Sequence, residues 1–546
     1  MAAPYSGLPG RQPPVFPTPR LPIGDSIYPA LVPADRVEPV CLSTRFVVPA
    51  RRNVSPGMAL AALSPFKPFV LLAAAGRYAR VIAPSPIMYM MKRSLVLLAL
   101  LVSTLALRAA PPTVEGFTFV KSLGGIDEYT LNSNGLQVLL MPEHSAPVVT
   151  FMVTYHVGSR NEVTGTTGAT HLLEHLMFKG SDTFNDKKGN SIKQYLETVG
   201  GNYNATTYLD RTNYYAEVGS EHLEGYLAIE ADRMRNLWLR EDDRRPEMTV
   251  VRNEYEQGEN DPTQALDKEI FATAFQAHPY HHSTIGWRSD IEGVPIEKLR
   301  AFYDTFYWPD NATATVIGDF DQVKALNLVK KYYGAYPRAP KPIPQLYTEE
   351  PEQSGPRRVV LQRAGQLGVV GISYKSAAGS SADYPALTVL SAILGSGKNS
   401  RFYRALTDKS LTLNVSADAG YFHDPSLLQI YANLAPGAGH EAVEKIMIAE
   451  IDRLKKDGVT AAEVAAASGK LLANMAYGRD GAFAIAGRLN EDIAAGNWTL
   501  YFSVEEGTRK VTAEDVKRVA NQCLDINKST TGWFVPMVPV EAPAAK

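Results

Sequence analysis

The sequence predicts an α+β protein of two homologous domains, each an antiparallel-rich sheet packed with helices. Three observations predict it. Short runs rich in β-branched and aromatic residues alternate with longer stretches of helical period. A charged, proline-rich segment at 338–356, holding Pro340, Pro342, Pro344, Pro351 and Pro356, divides the chain as a linker would. After it the same alternation returns, which fits an internal duplication although no strong residue-level repeat is visible. The expected domains are therefore 114–337 and 357–540.

The elements follow in order. Residues 129–131, the turn pair Asn134-Gly135 and residues 136–141 read as a hairpin. A second strand is expected over 148–157, a Gly/Thr-rich loop over 158–168 and a helix over 169–179. The helix expected over 190–199 stops at Gly200-Gly201. Strands at 204–207 and 214–218 meet through Asp210-Arg211-Thr212. A long helix at 221–238 places Leu223, Leu227, Met234 and Leu237 on one stripe, and another helix covers 244–257. Beyond the linker, strands are expected at 359–362, 369–374, 413–417 and 428–432. Helices are expected there at 383–394, 441–456 and 461–490.

Composition narrows the function. Net charge is −2, from 55 basic and 57 acidic residues, so no field favours nucleic acid or acidic lipid. The 2 cysteines, Cys41 and Cys523, exclude a disulfide framework and a Cys-rich zinc cluster. Any metal must be held by His and carboxylate.

Residues 1–90 are rich in Pro, Arg and Ala without a sustained period, and no structure is assigned there. Met91-Lys92-Arg93 then opens an apolar run at 95–107, followed by Arg108-Ala109-Ala110-Pro111-Pro112. A basic start, a short apolar stretch and small residues make a secretory signal peptide over 91–110. The run is shorter than the roughly 20 residues of a membrane span. Translation is expected to begin near Met91, the extension being an over-long reading frame, with export to the periplasm or outside and no stable membrane anchor after cleavage. The alternative is a disordered extension with an internal anchor helix.

The chemistry sits in His171-Leu172-Leu173-Glu174-His175. On a helix, residues i and i+4 share a face one turn apart, so both imidazoles can take one cation. Glu174 falls on the same side, where a carboxylate can work on a water beside the metal. Zinc catalysis wants neutral nitrogen ligands, an open coordination position and such a base. Leu172, Leu173, Leu176, Met177 and Phe178 make the helix largely buried, and unpaired polar groups there are costly, so the set needs a partner. Glu254 is the candidate third ligand. Glu247, two turns earlier on the same helix, could orient a ligand. Two glutamates on a helix, taken alone, usually mark a solvated face.

These residues resemble the M16 (pitrilysin, insulysin, mitochondrial processing peptidase) family. The likeness runs through Gly158-Ser159-Arg160-Asn161-Glu162, residues 168–175 and Phe178-Lys179-Gly180. It continues in Asn204-Ala205-Thr206-Thr207, in Glu247 and Glu254 as an E-x6-E element, in His278-Pro279-Tyr280 and from Tyr307 to Asp319. The resemblance implies the fold of the LuxS/MPP-like metallohydrolases and a zinc endopeptidase acting on unstructured peptides. Zn2+ would sit on His171, His175 and Glu254, with Glu174 as general base and Glu247 supporting. Asn204, Ala205 and Thr206 would receive an extended peptide, as strand addition at a sheet edge allows. In the second domain Ser400-Arg401-Phe402-Tyr403-Arg404 keeps an arginine region, making Arg401 and Arg404 candidate substrate contacts, whereas Leu413 stands where the family has a Tyr. The implied assembly is a homodimer or a heterodimer with a metal-less sister chain. A catalytically silent or metal-binding subunit of the same fold is the alternative reading. Gly395-Ser396-Gly397-Lys398-Asn399-Ser400 lacks the leading Gly and the Ser/Thr of a phosphate loop, and His281-His282 reads as a loop or helix-end pair rather than a second metal site.

Overall fold

The computed structural model describes residues 110–537, so the extension at 1–90 and, apart from Ala110, the signal segment expected at 91–110 lie outside the described residues. The first half supplies strands β1 (Phe117–Leu123), β2 (Ile126–Leu131), β3 (Gln137–Pro142), β4 (Val148–Tyr155), β5 (Asn202–Thr207), β6 (Thr212–Gly219) and β7 (Ala312–Gly318). The second supplies β8 (Arg357–Ala364), β9 (Val369–Lys375), β10 (Thr412–Ala419), β11 (Leu427–Leu434) and β12 (Ser529–Met537). Five helices matter for the site: α1 (Ala169–Leu176), α2 (Glu241–Asn260), α3 (Pro262–Ala274), α4 (Tyr384–Gly395) and α5 (Ala482–Ala494).

The strands form a seven-stranded sheet, β1-β2-β3-β7-β4-β6-β5, and a five-stranded sheet, β10-β11-β9-β12-β8. Set β3-β7-β4-β6-β5 beside β8-β12-β9-β11-β10 and the orders match strand for strand. Each begins with a parallel pair, β3 with β7 and β8 with β12, and every other pair is antiparallel. The predicted fold class holds, and the duplication that residues only hinted at is explicit in the topology.

Local chemistry explains the elements. Between β2 and β3 the Leu131 N–H donates to Leu136 O at 2.9 Å, and Gly135 takes φ 84°, a conformation open to glycine. The buried Asn134 amide donates to Tyr333 O and Tyr336 O at 2.8 and 3.0 Å, pinning the turn to a distant helix end. Every β4 residue after Val148 is buried, because helices cover both sheet faces.

The halves exchange helices. α3 precedes the proline-rich segment, yet its Leu266 and Ile270 pack on the second sheet. A Cβ at Gly371 or Gly532 would lie 2.7 or 2.8 Å from Ile270 Cδ1, so glycines in β9 and β12 let the helix approach. α5 follows the segment, yet Ile485, Leu489 and Ile493 bury against Ile126, Leu139, Met152 and Ile317 of the first sheet. The segment itself is a tied strap rather than a loose tether. Glu350 accepts the N–H groups of Gln276, Ala277 and His278 at 2.8, 2.9 and 3.1 Å, and Gln353 donates to Ser529 O at 2.7 Å.

One helix expectation is corrected. The stretch 461–490 is two helices, Ala461–Tyr477 and α5, because Gly478 and Gly481 (φ 93°) interrupt it. Among the described residues no helix is long and apolar enough to cross a membrane.

Candidate active site

α1 begins at a position only glycine can fill. Gly168 has φ 83°, and a Cβ there would lie 2.4 Å from Ile285 O. The buried Glu162 carboxylate then accepts the N–H groups of Gly168 and Thr170 at 2.8 and 2.7 Å, satisfying donors that a helix start leaves free. Leu172, Leu173 and Leu176 bury one face of α1 in the core. The opposite face meets α2.

There the two helices bring four side chains together. His171 Nε2 and His175 Nε2 lie 3.6 and 3.7 Å from the same Glu254 oxygen. The imidazoles meet edge to face, with ring centres 4.9 Å apart. On its far side His175 Nδ1 lies 3.1 Å from Glu247, whose other oxygen accepts from Lys179. Ligands arranged tetrahedrally about 2.0–2.2 Å from one zinc stand about 3.3–3.6 Å apart, and both histidine–carboxylate separations lie within about 0.4 Å of that. Among the described residues His171, His175 and Glu254 are the group of three whose ligand atoms all lie within 4.8 Å of one another. The buried His171 Nδ1 has no hydrogen-bond partner, and a metal on Nε2 would leave it so, so the fit rests on the converging Nε2 and carboxylate atoms. Two nitrogens, one carboxylate oxygen and an open side fit zinc.

The electrostatics separate the two imidazoles. Burial, with the neighbouring His175 charge, lowers His171 to about 3, so its lone pair is free at neutral pH. Burial alone would lower His175, but Glu247, Glu254 and Glu174 hold it above its usual range. Burial raises the Glu174 carboxyl, opposed by the Thr207 hydroxyl, His175 and Arg211. Thr207 Oγ1 donates to Glu174 at 2.5 Å.

Thr207 belongs to β5, the edge of the first sheet. Tyr208 N–H donates to Arg211 O across the turn at 2.9 Å, so the ladder alternates from that pair. Thr206 and Asn204 turn their backbone groups inward to Asn213 and Tyr215, whereas Ala205 and Thr207 turn theirs outward. Ala205 thus faces the open edge with its backbone groups. Asn204 is corrected to an exposed side chain with inward backbone, because antiparallel pairing consumes every second residue.

Arg401 and Arg404 are not brought to this cluster by any bond among the described residues. Arg401 Nε pairs with Glu463 at 2.8 Å, and Arg404 donates to Asn399 O at 3.1 Å, both within the second half. Sequence reasoning quoted Glu162, Lys179 and Thr207 within its family-like stretches and Arg211 in a turn, but gave none of them a role.

The family model described as Insulinase (Peptidase family M16) matches residues 137–287, and the one described as Peptidase M16 inactive domain matches 293–471. The chain is 32% identical over 408 residues to the zinc protease PqqE of Helicobacter pylori, covering 74% of this chain and 91% of that one. It is 24% identical over 424 residues to the mitochondrial-processing peptidase subunit beta of Lentinula edodes, covering 75% and 90%. Among solved structures, a protease from Helicobacter pylori matches with TM-score 0.72 at 31% identity, over 76% of this chain and 100% of that one. A peptidase M16 inactive domain from Pseudomonas fluorescens matches with TM-score 0.68 at 17% identity, over 76% and 98%. Likeness through both halves, in residues and in fold, makes the chain a member of the M16 peptidase family.

Proposed function

We propose that the chain is a zinc endopeptidase cutting unstructured peptides. The observation that carries this reading is the convergence of His171, His175 and Glu254 beside Glu174, one helix face away from an open sheet edge. Zinc held there would polarise a scissile carbonyl and bring a water's pKa toward neutrality. Glu174 would take that water's proton and pass it to the leaving amine, a task suited to a carboxyl raised by burial. Glu247 would fix the His175 ring through Nδ1, with Lys179 holding Glu247 in turn. The outward N–H and C=O groups of Ala205 and Thr207 would pair with an extended substrate, with Thr206 between them. Such recognition reads backbone rather than sequence.

The assembly we propose joins this chain to a second M16 chain, or to a second copy, that closes over the β5 edge. Leu413, 53% exposed on β10 where the family has a Tyr, favours a sister chain of different sequence. Export rests on the segment at 91–110.

The test is hydrolysis of an unstructured peptide by the chain and by Glu174→Gln, with zinc quantified in both. Turnover by the first and none by the zinc-loaded second supports the reading. Zinc in both with turnover in neither would assign a silent or partner-dependent subunit.

A further inference from the structure

The β5 edge is held from the second half of the chain. Arg211, in the turn after β5, donates from one guanidinium nitrogen to Thr206 O at 3.0 Å and to Thr206 Oγ1 at 2.5 Å. Its other terminal nitrogen pairs with Glu491 of α5 at 2.6 Å. Glu491 also accepts from Asn490 at 3.0 Å, and Asn490 accepts the buried Thr154 hydroxyl at 2.8 Å. A continuous line of polar contacts thus runs from α5 to the residue between the two outward-facing peptides. On the opposite face of the strand, the next residue, Thr207, holds Glu174.

As a strut between the halves this pair is redundant. Ile485, Leu489, Ile493 and Trp498 already join α5 and its neighbour to the first sheet. Glu491 is 37% exposed, and ion pairs that open to solvent add little stability. What the pair adds is a hold from the second half on Thr206, whose backbone already pairs with Asn213 and whose hydroxyl donates to Asn213 Oδ1. An edge strand lacks a neighbour on one side to fix its height and register, and a guanidinium fork supplies that restraint.

We infer that Arg211 and Glu491 are positioning residues, through which the second half presents the β5 edge to an extended peptide. The inference rests on the peptidase reading for the identity of the ligand, but its readout need not be turnover. Loss of the clamp lets β5 drift, so binding of an extended peptide weakens while the metal cluster on α1 and α2 stays intact.

The experiment measures binding of a fluorescent ten-residue unstructured peptide to the full chain in a Glu174→Gln background, with and without Glu491→Gln. Zinc content and melting temperature are recorded for each. KM and kcat for the same peptide are measured in chains that keep Glu174. The inference predicts a Kd, and a KM, at least tenfold higher in Glu491→Gln, with zinc content and melting temperature unchanged and partial rescue in Glu491→Asp. Arg211→Lys, which keeps the charge but loses the fork, should behave like Glu491→Gln. Unchanged Kd and KM in both variants would overturn it, and so would a fall in zinc content or melting temperature that accounts for the weaker binding. If the parent chain binds the peptide without cutting it and Glu491→Gln loses the binding, the peptidase reading fails and this inference stands.

Discussion

α1 and α4 occupy equivalent places in the two halves, each following the middle strand of the five matched strands, β4 or β9. They differ in what they bury. α1 sets His171, Glu174 and His175 against α2, with one buried imidazole nitrogen lacking a hydrogen-bond partner. α4 buries Leu387, Val389, Leu390, Ile393 and Leu394, and its Ser391 hydroxyl is satisfied by Leu387 O at 3.0 Å. One topology therefore supports either a filled apolar core or a set of converging polar groups. The chemistry belongs to the residues, not to the fold. The edges diverge in step. β5 places Thr207 on Glu174, whereas its counterpart β10 exposes Leu413.

The bluntest way to break the contrast is to make α1 resemble α4. His171→Ala should abolish zinc binding and reduce peptide hydrolysis to that of an enzyme-free control, read by metal analysis and a fluorogenic assay. Glu247→Gln keeps all three proposed ligands but loosens the His175 ring. It should cost about 10–100-fold in zinc affinity or activity, read by competition with a chelating dye. Exchange of helices between the halves is sharpened by Leu489→Ala. This fully buried side chain from the second half lies against the first sheet, and its truncation should cost about 2–5 kcal/mol in urea unfolding.

The smallest effect concerns the polar joint between the halves. Burial alone would raise the Asp424 carboxyl, but bonds from His278 and His423 and the Arg160 guanidinium hold it well below its usual range. The folded state then binds this proton less readily than the unfolded chain. Its stabilisation is full above about pH 4 and is lost as pH falls further. Asp424→Asn should cost about 1–3 kcal/mol at pH 7. Denaturant titrations of both proteins should show the gap shrinking below about pH 4.

Legibility followed sequence separation. The β2–β3 hairpin, α1 and its metal motif, and α2 with its two glutamates were readable because period, turn chemistry and ligand spacing are local. β1, β7 and β12 were missed. β12 alternates only weakly, carries Gly532 and Pro536, and is a strand because β8 and β9 flank it. α3 was missed although Asp261-Pro262 marks its start, Asp261 accepting the N–H groups of Thr263 and Gln264 at 2.9 Å. The proline-rich strap read as a linker because composition reports stiffness and charge, not the carboxylate contacts that tie Glu350 down. Glu174 was found by its motif and Thr207 stood in a family-like stretch, but the bond between them, and Glu491 reaching Arg211 from the other half, leave no local trace.

The most direct test of the account is zinc stoichiometry and coordination in the full chain, by metal analysis with X-ray absorption at the zinc edge, repeated on Glu254→Ala. The account predicts one zinc per chain, ligated by two imidazoles and a carboxylate oxygen at about 2.0–2.2 Å, with the carboxylate signal lost in the variant. A chain that takes up no zinc, or a spectrum that Glu254→Ala leaves unchanged, would contradict it.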